Sequence, residues 1–242
     1  MEGSVIRTMS ITPYTPPSAP TARTRARRRA LVCALAWALA GQVVLAAPSQ
    51  NGSTGFLQIP TADVTGLGQM TVGLHLAAPP EDGSDPSEGF ATLSYGLASG
   101  IEVGVGTRAV SGGESFDAWP ILKAQLVPET RDDPALAIGL EDDAIYGVVT
   151  KTSAPGLRWA IGIGNGRFNA LFGGVSVTLN PVNVSSAGRP LPIVRLLAEY
   201  DGRDFNIGAR LEAPPGLMFV VGITDVAGIE RPLFGASLTT GF

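Results

Sequence analysis

Between residues 192 and 213, apolar and polar side chains alternate with a period of two on both sides of a short break. Val194, Leu196, Ala198 and Tyr200 alternate with Arg195, Leu197, Glu199 and Asp201, and Phe205, Ile207, Ala209 and Leu211 alternate with Asn206, Gly208, Arg210 and Glu212. Successive side chains of a strand point to opposite faces, so this pattern writes two strands with one apolar and one polar face. The break at residues 201–204 contains Gly202, and a glycine there supplies the positive φ that a tight turn uses. The unit is an antiparallel hairpin, and weaker copies of it recur from about residue 69 to the end. A chain patterned this way is committed to antiparallel sheet.

Twelve strands are expected: 70–76, 91–97, 101–107, 119–127, 135–141, 145–152, 157–164, 169–179, the two of the hairpin, 217–224 and 233–242. The fold class is all-β, an antiparallel transmembrane β-barrel of about 12 strands, with 10 to 14 admissible; an even number returns both chain ends to one side. The breaks at 79–88 and 110–117 are long and polar, and those at 98–100 and 154–156 are short. The break at 181–191 is long where that alternation calls for a short turn, which points to a miscounted strand between 140 and 190. Residues 51–65 precede the first clear strand and alternate poorly, and Pro60 removes a ladder donor. That suits an edge or a plug better than a central strand. Residues 47–68 are therefore expected to be an N-terminal extension or plug segment, and 69–242 the barrel.

The leader has its own composition. Residues 23–29 hold five arginines, residues 31–46 are almost wholly apolar, and small residues follow at Ala46 and Ala47. A basic segment, an apolar core and a small-residue cleavage site describe a secretory signal peptide, here residues 1–46. The apolar run is shorter than the roughly 20 residues of a membrane-spanning helix. Its removal takes Cys33, the only cysteine, and leaves no disulfide or thiolate chemistry. It also reduces the 17 basic residues to 11 and the 21 acidic ones to 20, a net charge of −9. Nucleic acid, whose binding needs clustered Lys and Arg, is not an expected partner.

The polar face carries charges at depths where strand pairing should continue. Glu102, Lys123, Glu141, Arg158, Arg195, Glu199, Asn206, Arg210 and Glu212 fall opposite the apolar stripe, as do Gln125 and Lys151. In a membrane barrel these line the lumen, and charges of both signs are expected to pair across it and leave a narrow or closed pore. In the alternative reading, a secreted soluble β-sandwich that binds carbohydrate, the same residues face water. Alternation alone leaves both open. Sugar-binding modules usually show a row of aromatics, whereas Trp119 and Trp159 are isolated; Tyr95, Trp119, Phe168 and Tyr200 lie roughly at strand ends, as in the aromatic girdles of membrane barrels. Phe242 closes an alternating strand that also carries Phe234, Ala236 and Leu238 on its face. A terminal aromatic of this kind is similar to the signal that outer-membrane barrels present to their assembly machinery.

No catalytic, cofactor or metal site is expected. His75 is the single histidine and has no Cys or His partner for a zinc site, so it reads as a lumen hydrogen-bonding residue. The acidic runs at residues 132–133 and 141–143 lack the glycine and terminal glutamate of an EF-hand loop and read as solvated turns. Residues 162–166 have the glycine density of a phosphate loop, but Trp159, Ile161 and Ile163 write a strand and no helix follows.

Four blocks, residues 55–62, 122–129, 134–142 and 198–208, resemble in order those of the YjbH-like family. The Glu-Tyr-Asp-Gly hairpin at Glu199 is the most specific, and the Ile-Pro-Thr-Ala block at Ile59 the next. The resemblance implies a non-enzymatic outer-membrane β-barrel of a Gram-negative-type envelope, with a structural or transport role linked to exopolysaccharide export. Its implied partners are outer-membrane lipid, the barrel assembly machinery and polysaccharide.

Overall fold

Every one of the alternating segments becomes a strand. In the computed structural model, which describes residues 47–113, 115–180, 185–186, 189–228 and 230–241, they are β1 (Gln69–Ala77), β2 (Glu88–Ala98), β3 (Ile101–Val110), β4 (Phe116–Val127), β5 (Ala135–Glu141), β6 (Ala144–Ala154), β7 (Leu157–Gly164) and β8 (Ala170–Thr178). A two-stranded ribbon, β9 (Ser185–Ser186) with β10 (Arg189–Pro190), follows in the next connection. The series ends with β11 (Ile193–Tyr200), β12 (Phe205–Ala213), β13 (Leu217–Thr224) and β14 (Arg231–Gly241). The expected signal peptide, residues 1–46, and the terminal Phe242 lie outside the described residues.

Each long strand pairs antiparallel with its neighbours in sequence, and β1 closes on β14 in register from Gln69 opposite Gly241 to Ala77 opposite Leu233. The product is one closed barrel of twelve strands. Closure removes both sheet edges, so every strand finds a ladder on each side. A two-sheet sandwich would leave edges, and the soluble-sandwich alternative is overturned by this single closed sheet. No strand is miscounted: the long connection at 179–192 is real, carries the β9–β10 ribbon, and lies at the end where β1 begins.

The two faces of the wall differ in kind. The outer face exposes Leu74, Leu76, Leu93, Ile101, Val105, Leu122, Ile138, Ile145, Ile161, Val175, Leu196, Ile207, Val221, Phe234 and Leu238, spread over all twelve strands. Facing in are Glu102, Lys123, Glu141, Glu199, Asn206 and Arg210, all buried. A water-soluble barrel has the reverse polarity, because burying ions in place of apolar side chains is costly. Strands of 7 to 12 residues match the length of tilted bilayer-spanning strands, about 9–11 residues. The barrel is thus compatible with an outer-membrane location, and no described helix is long and apolar enough to cross a membrane.

Three expected placements differ. Lys151, taken for the polar face, instead lies on the outer side near the end of β6, where its ammonium donates to the carbonyls of Thr130, Arg131 and Asp133. It pairs in register with Trp159, on the parity opposite to the inward Thr150 and Thr152. Trp119 and Phe168, expected in an aromatic girdle, are buried in the interior. What they pack around explains both.

Candidate functional site

Residues 47–68 fill the barrel. Their backbone folds on itself through bridges between Pro48 and Thr54 and between Gly55 and Pro60, and a parallel bridge from Leu67 to Gly96 ties the segment to the wall just before β1. At the tip, Phe56 N–H donates to the Ile59 carbonyl at 2.9 Å, and Gly55 N–H to the Ala47 carbonyl at 2.8 Å. A Cβ on Gly55 would lie 2.2 Å from the Ile59 carbonyl oxygen, so glycine is required at this crossing. The choice between edge strand and plug is therefore decided: the segment is a plug. Phe56, Leu57, Ile59 and Ala62 are buried in one apolar cluster with Ile121, Tyr146, Phe168, Phe172, Leu197 and Val220. Glycines of the inner wall serve as sockets: Phe56 sits against Gly174, and Leu57 against Gly208 and Gly222.

The charges grip the main chain of this plug. Glu102 accepts from Thr54 N–H at 3.0 Å and Thr65 N–H at 2.7 Å, and from both threonine hydroxyls. Lys123 stands 3.7 Å from Glu102 and donates to the Thr54 carbonyl at 2.7 Å. Glu199 accepts the consecutive amides of Leu57 at 2.9 Å and Gln58 at 2.7 Å, a concave donor pair of the sort that binds anions. Asn206 steadies it, donating to Glu199 at 3.2 Å and to Asp201 at 3.3 Å. Arg210 donates to the carbonyls of Gly55 and Phe56 at 2.9 and 2.6 Å. Glu141 accepts from the Ser53 hydroxyl and from Arg167, whose guanidinium also reaches the Gln58 carbonyl and lies 4.1 Å from the Phe168 ring centre.

Uncharged groups complete the set. Ala62 N–H donates to the Thr150 hydroxyl and its carbonyl accepts from Gln125, while the carbonyls of Gly52 and Asn51 accept from Ser94 and from the Trp119 indole. Nearer the rim where β1 begins, Arg158 bridges plug residue Asp63 and loop residue Glu129, both at 2.6 Å. Arg195 pairs with Glu212 at 2.8 Å and bonds Thr178, both on the wall itself.

The structure thus brings Glu102, Lys123, Glu141, Arg158, Glu199 and Arg210 onto one bound segment, with Asn206 in support, and leaves Arg195 and Glu212 as a pair at the rim. The expectation that charges of opposite sign pair across the lumen is corrected: the plug lies between them and takes most of their bonds. Arg167, Thr150, Ser94 and the Trp119 indole belong to the same grip, and no periodic signal marks Arg167, which sits in a short turn between β7 and β8. His75 faces inward and is buried, with Nδ1 unpartnered among the described residues. Glu141, read as part of a solvated turn, is a buried ligand of the plug, and only Asp142 and Asp143 form the turn. Among the described residues no group of His, Cys, Asp and Glu is arranged to hold a metal ion. No family model, curated protein or solved structure matches the chain.

Proposed function

We propose that this chain is a non-enzymatic outer-membrane β-barrel protein of a Gram-negative-type envelope, exported by a cleaved signal peptide at residues 1–46 and shut by its own N-terminal plug. The observation that carries this reading is the polarity of the wall, apolar outside along the middle of all twelve strands and carrying charges within. Only closed barrels and helices satisfy every backbone group in lipid, and this one offers lipid no polar surface in the middle of its strands. The plug supports a structural role over free diffusion. Withdrawing it would strip Glu102, Glu199 and Arg210 of their main-chain partners in a low-dielectric lumen.

Its partners on this reading are outer-membrane lipid and the barrel assembly machinery, for which Phe242 is the recognition signal. A link to exopolysaccharide export, as a structural or transport component, follows from the YjbH-like resemblance alone. Fractionation of the producing cell with heat-modifiable gel migration tests the barrel: outer-membrane recovery and a heat-dependent shift are expected, and a soluble protein without one refutes it. Planar-bilayer recordings test the closure, and large, steady currents from the wild-type chain refute that. Loss of surface polysaccharide on deletion, restored by the intact chain, tests the export link; unchanged polysaccharide removes it.

A further inference from the structure

The outer face is not level where β14, β1, β2, β3 and β4 lie side by side. In register, one outward row across these strands reads Phe234, Leu76, Gly89, Ala109, Phe116. Large side chains stand at its flanks and the smallest ones between them, and in the next row β2 and β3 again contribute small groups, Ala91 opposite Thr107. These two strands are thus the floor of a groove walled by Leu76 and Phe116, and the floor rises again at the following pair, Leu93 opposite Val105. The groove encloses about 650 Å³, within the range of small-molecule pockets, about 300–1,000 Å³. A Cβ on Gly89 would meet nothing within 4 Å, so packing does not demand glycine there, and its missing side chain keeps the floor low.

Shape and position name the occupant. Successive outward rows lie about 7 Å apart along a strand, so two rows span roughly 14 Å, about half of a hydrocarbon core near 30 Å thick. The groove therefore lies within one leaflet and opens at the rim where β1 turns into β2. A second copy of the chain fills it poorly, because a two-fold contact centred on this face sets groove against groove and leaves a void. An acyl chain entering from the rim supplies the dispersion contacts that bare apolar walls lack. At that rim the connection 78–87 holds Glu81, Asp82 and Asp85, all exposed, and no basic residue. Arg108 and Arg231 of the same sector stand on the inward parity of their strands, paired with Asp117 and Glu88. Exposed carboxylates attract a headgroup whose ammonium donates to them and repel an anionic one.

We propose that this groove binds the acyl chain of one phospholipid with an ammonium headgroup, phosphatidylethanolamine, held at the rim by the carboxylates of the 78–87 connection. This rests on the membrane-barrel reading and adds a lipid that the barrel selects from the bilayer.

The test is native mass spectrometry of the chain folded in vesicles of equimolar phosphatidylethanolamine and phosphatidylglycerol, with folding verified by heat-modifiable migration. One retained phosphatidylethanolamine per chain is expected, in about fivefold excess over phosphatidylglycerol, the scale of an exposed ion pair. Ala91→Leu with Ala109→Leu, which fills the floor with apolar groups, should abolish retention, whereas Ala124→Leu, on the outer face of β4 and farther from this rim, should not. Glu81→Gln, Asp82→Asn and Asp85→Asn together, all in the exposed connection, should keep a retained lipid and remove the preference. No retained lipid, or undiminished retention in the Ala91 and Ala109 variant, overturns the groove, and equal amounts of the two lipids on the wild-type chain overturn the headgroup. A dimer that the groove-filling variant breaks would put a second copy in place of the lipid. Recovery as a soluble chain without a heat-dependent shift would instead overturn the membrane reading, so the two failures are distinct.

Discussion

Glu199→Ala should cost about 3–5 kcal/mol, and nearly all of that cost should depend on the plug. The carboxylate accepts two buried plug amides, Leu57 at 2.9 Å and Gln58 at 2.7 Å, together with the Asn206 side chain at 3.2 Å. A buried donor left without an acceptor costs about 1–3 kcal/mol, and bonds to a charged acceptor lie toward the upper part of that range. Asn206 keeps its bond to Asp201 and loses little. In a barrel lacking residues 47–64, only the Asn206 bond remains to be lost, about 1 kcal/mol. The difference between the two backgrounds, about 2–4 kcal/mol, is the coupling between Glu199 and the plug that a double-mutant cycle isolates. Urea unfolding in lipid vesicles, followed by the fluorescence of Trp119 and Trp159, measures both, and Glu199→Gln, which keeps one acceptor oxygen, should fall between. An equal loss with and without the plug would refute the claim that these inner charges exist to hold it.

Other consequences test the wall, the loops and the chain end. Leu196 lies near the middle of β11 on the outer face, and Leu196→Arg should destabilise by roughly 2–4 kcal/mol in vesicle unfolding; a fluorophore on Leu196→Cys should be quenched from lipid and not from water, and protection from both would mean that this face packs on protein. Partial burial pushes the Glu129 carboxyl up, but the Thr152 amide and the Arg158 guanidinium more than offset this and hold it below the usual carboxylate range. The stability it contributes is therefore complete above the unfolded value of about 4.3 and is lost as pH falls through the lower folded value; Glu129→Gln should remove that part of the acid dependence, and an unchanged acid limb would contradict it. Deleting Phe242 should lower the amount of folded protein in outer-membrane fractions more than deleting the exposed loop residue Ser84 does, with equal recovery counting against a terminal signal.

The sequence by itself determined the wall. A period of two is a local property, and it fixed the twelve strands, their inward and outward faces and the turn glycines, because each strand's alternation must match the neighbour it pairs with. It failed where the period runs out at a strand end, as at Lys151, whose ammonium is captured by loop carbonyls. It also failed where an aromatic near a strand end could face either way. Trp119 and Phe168 turned inward because the plug offers the indole a carbonyl and the phenyl ring an apolar cluster. Only the tertiary structure decided what the inner charges bind. Glu102 reaches Thr54 and Glu199 reaches Leu57 across 48 and 142 residues of chain. These bonds go to main-chain amides, which every residue carries and no side-chain pattern announces. Pro60 and the poor alternation of residues 51–65 could show that this segment was not an ordinary strand; closing the sheet around it is what made it the content of the barrel.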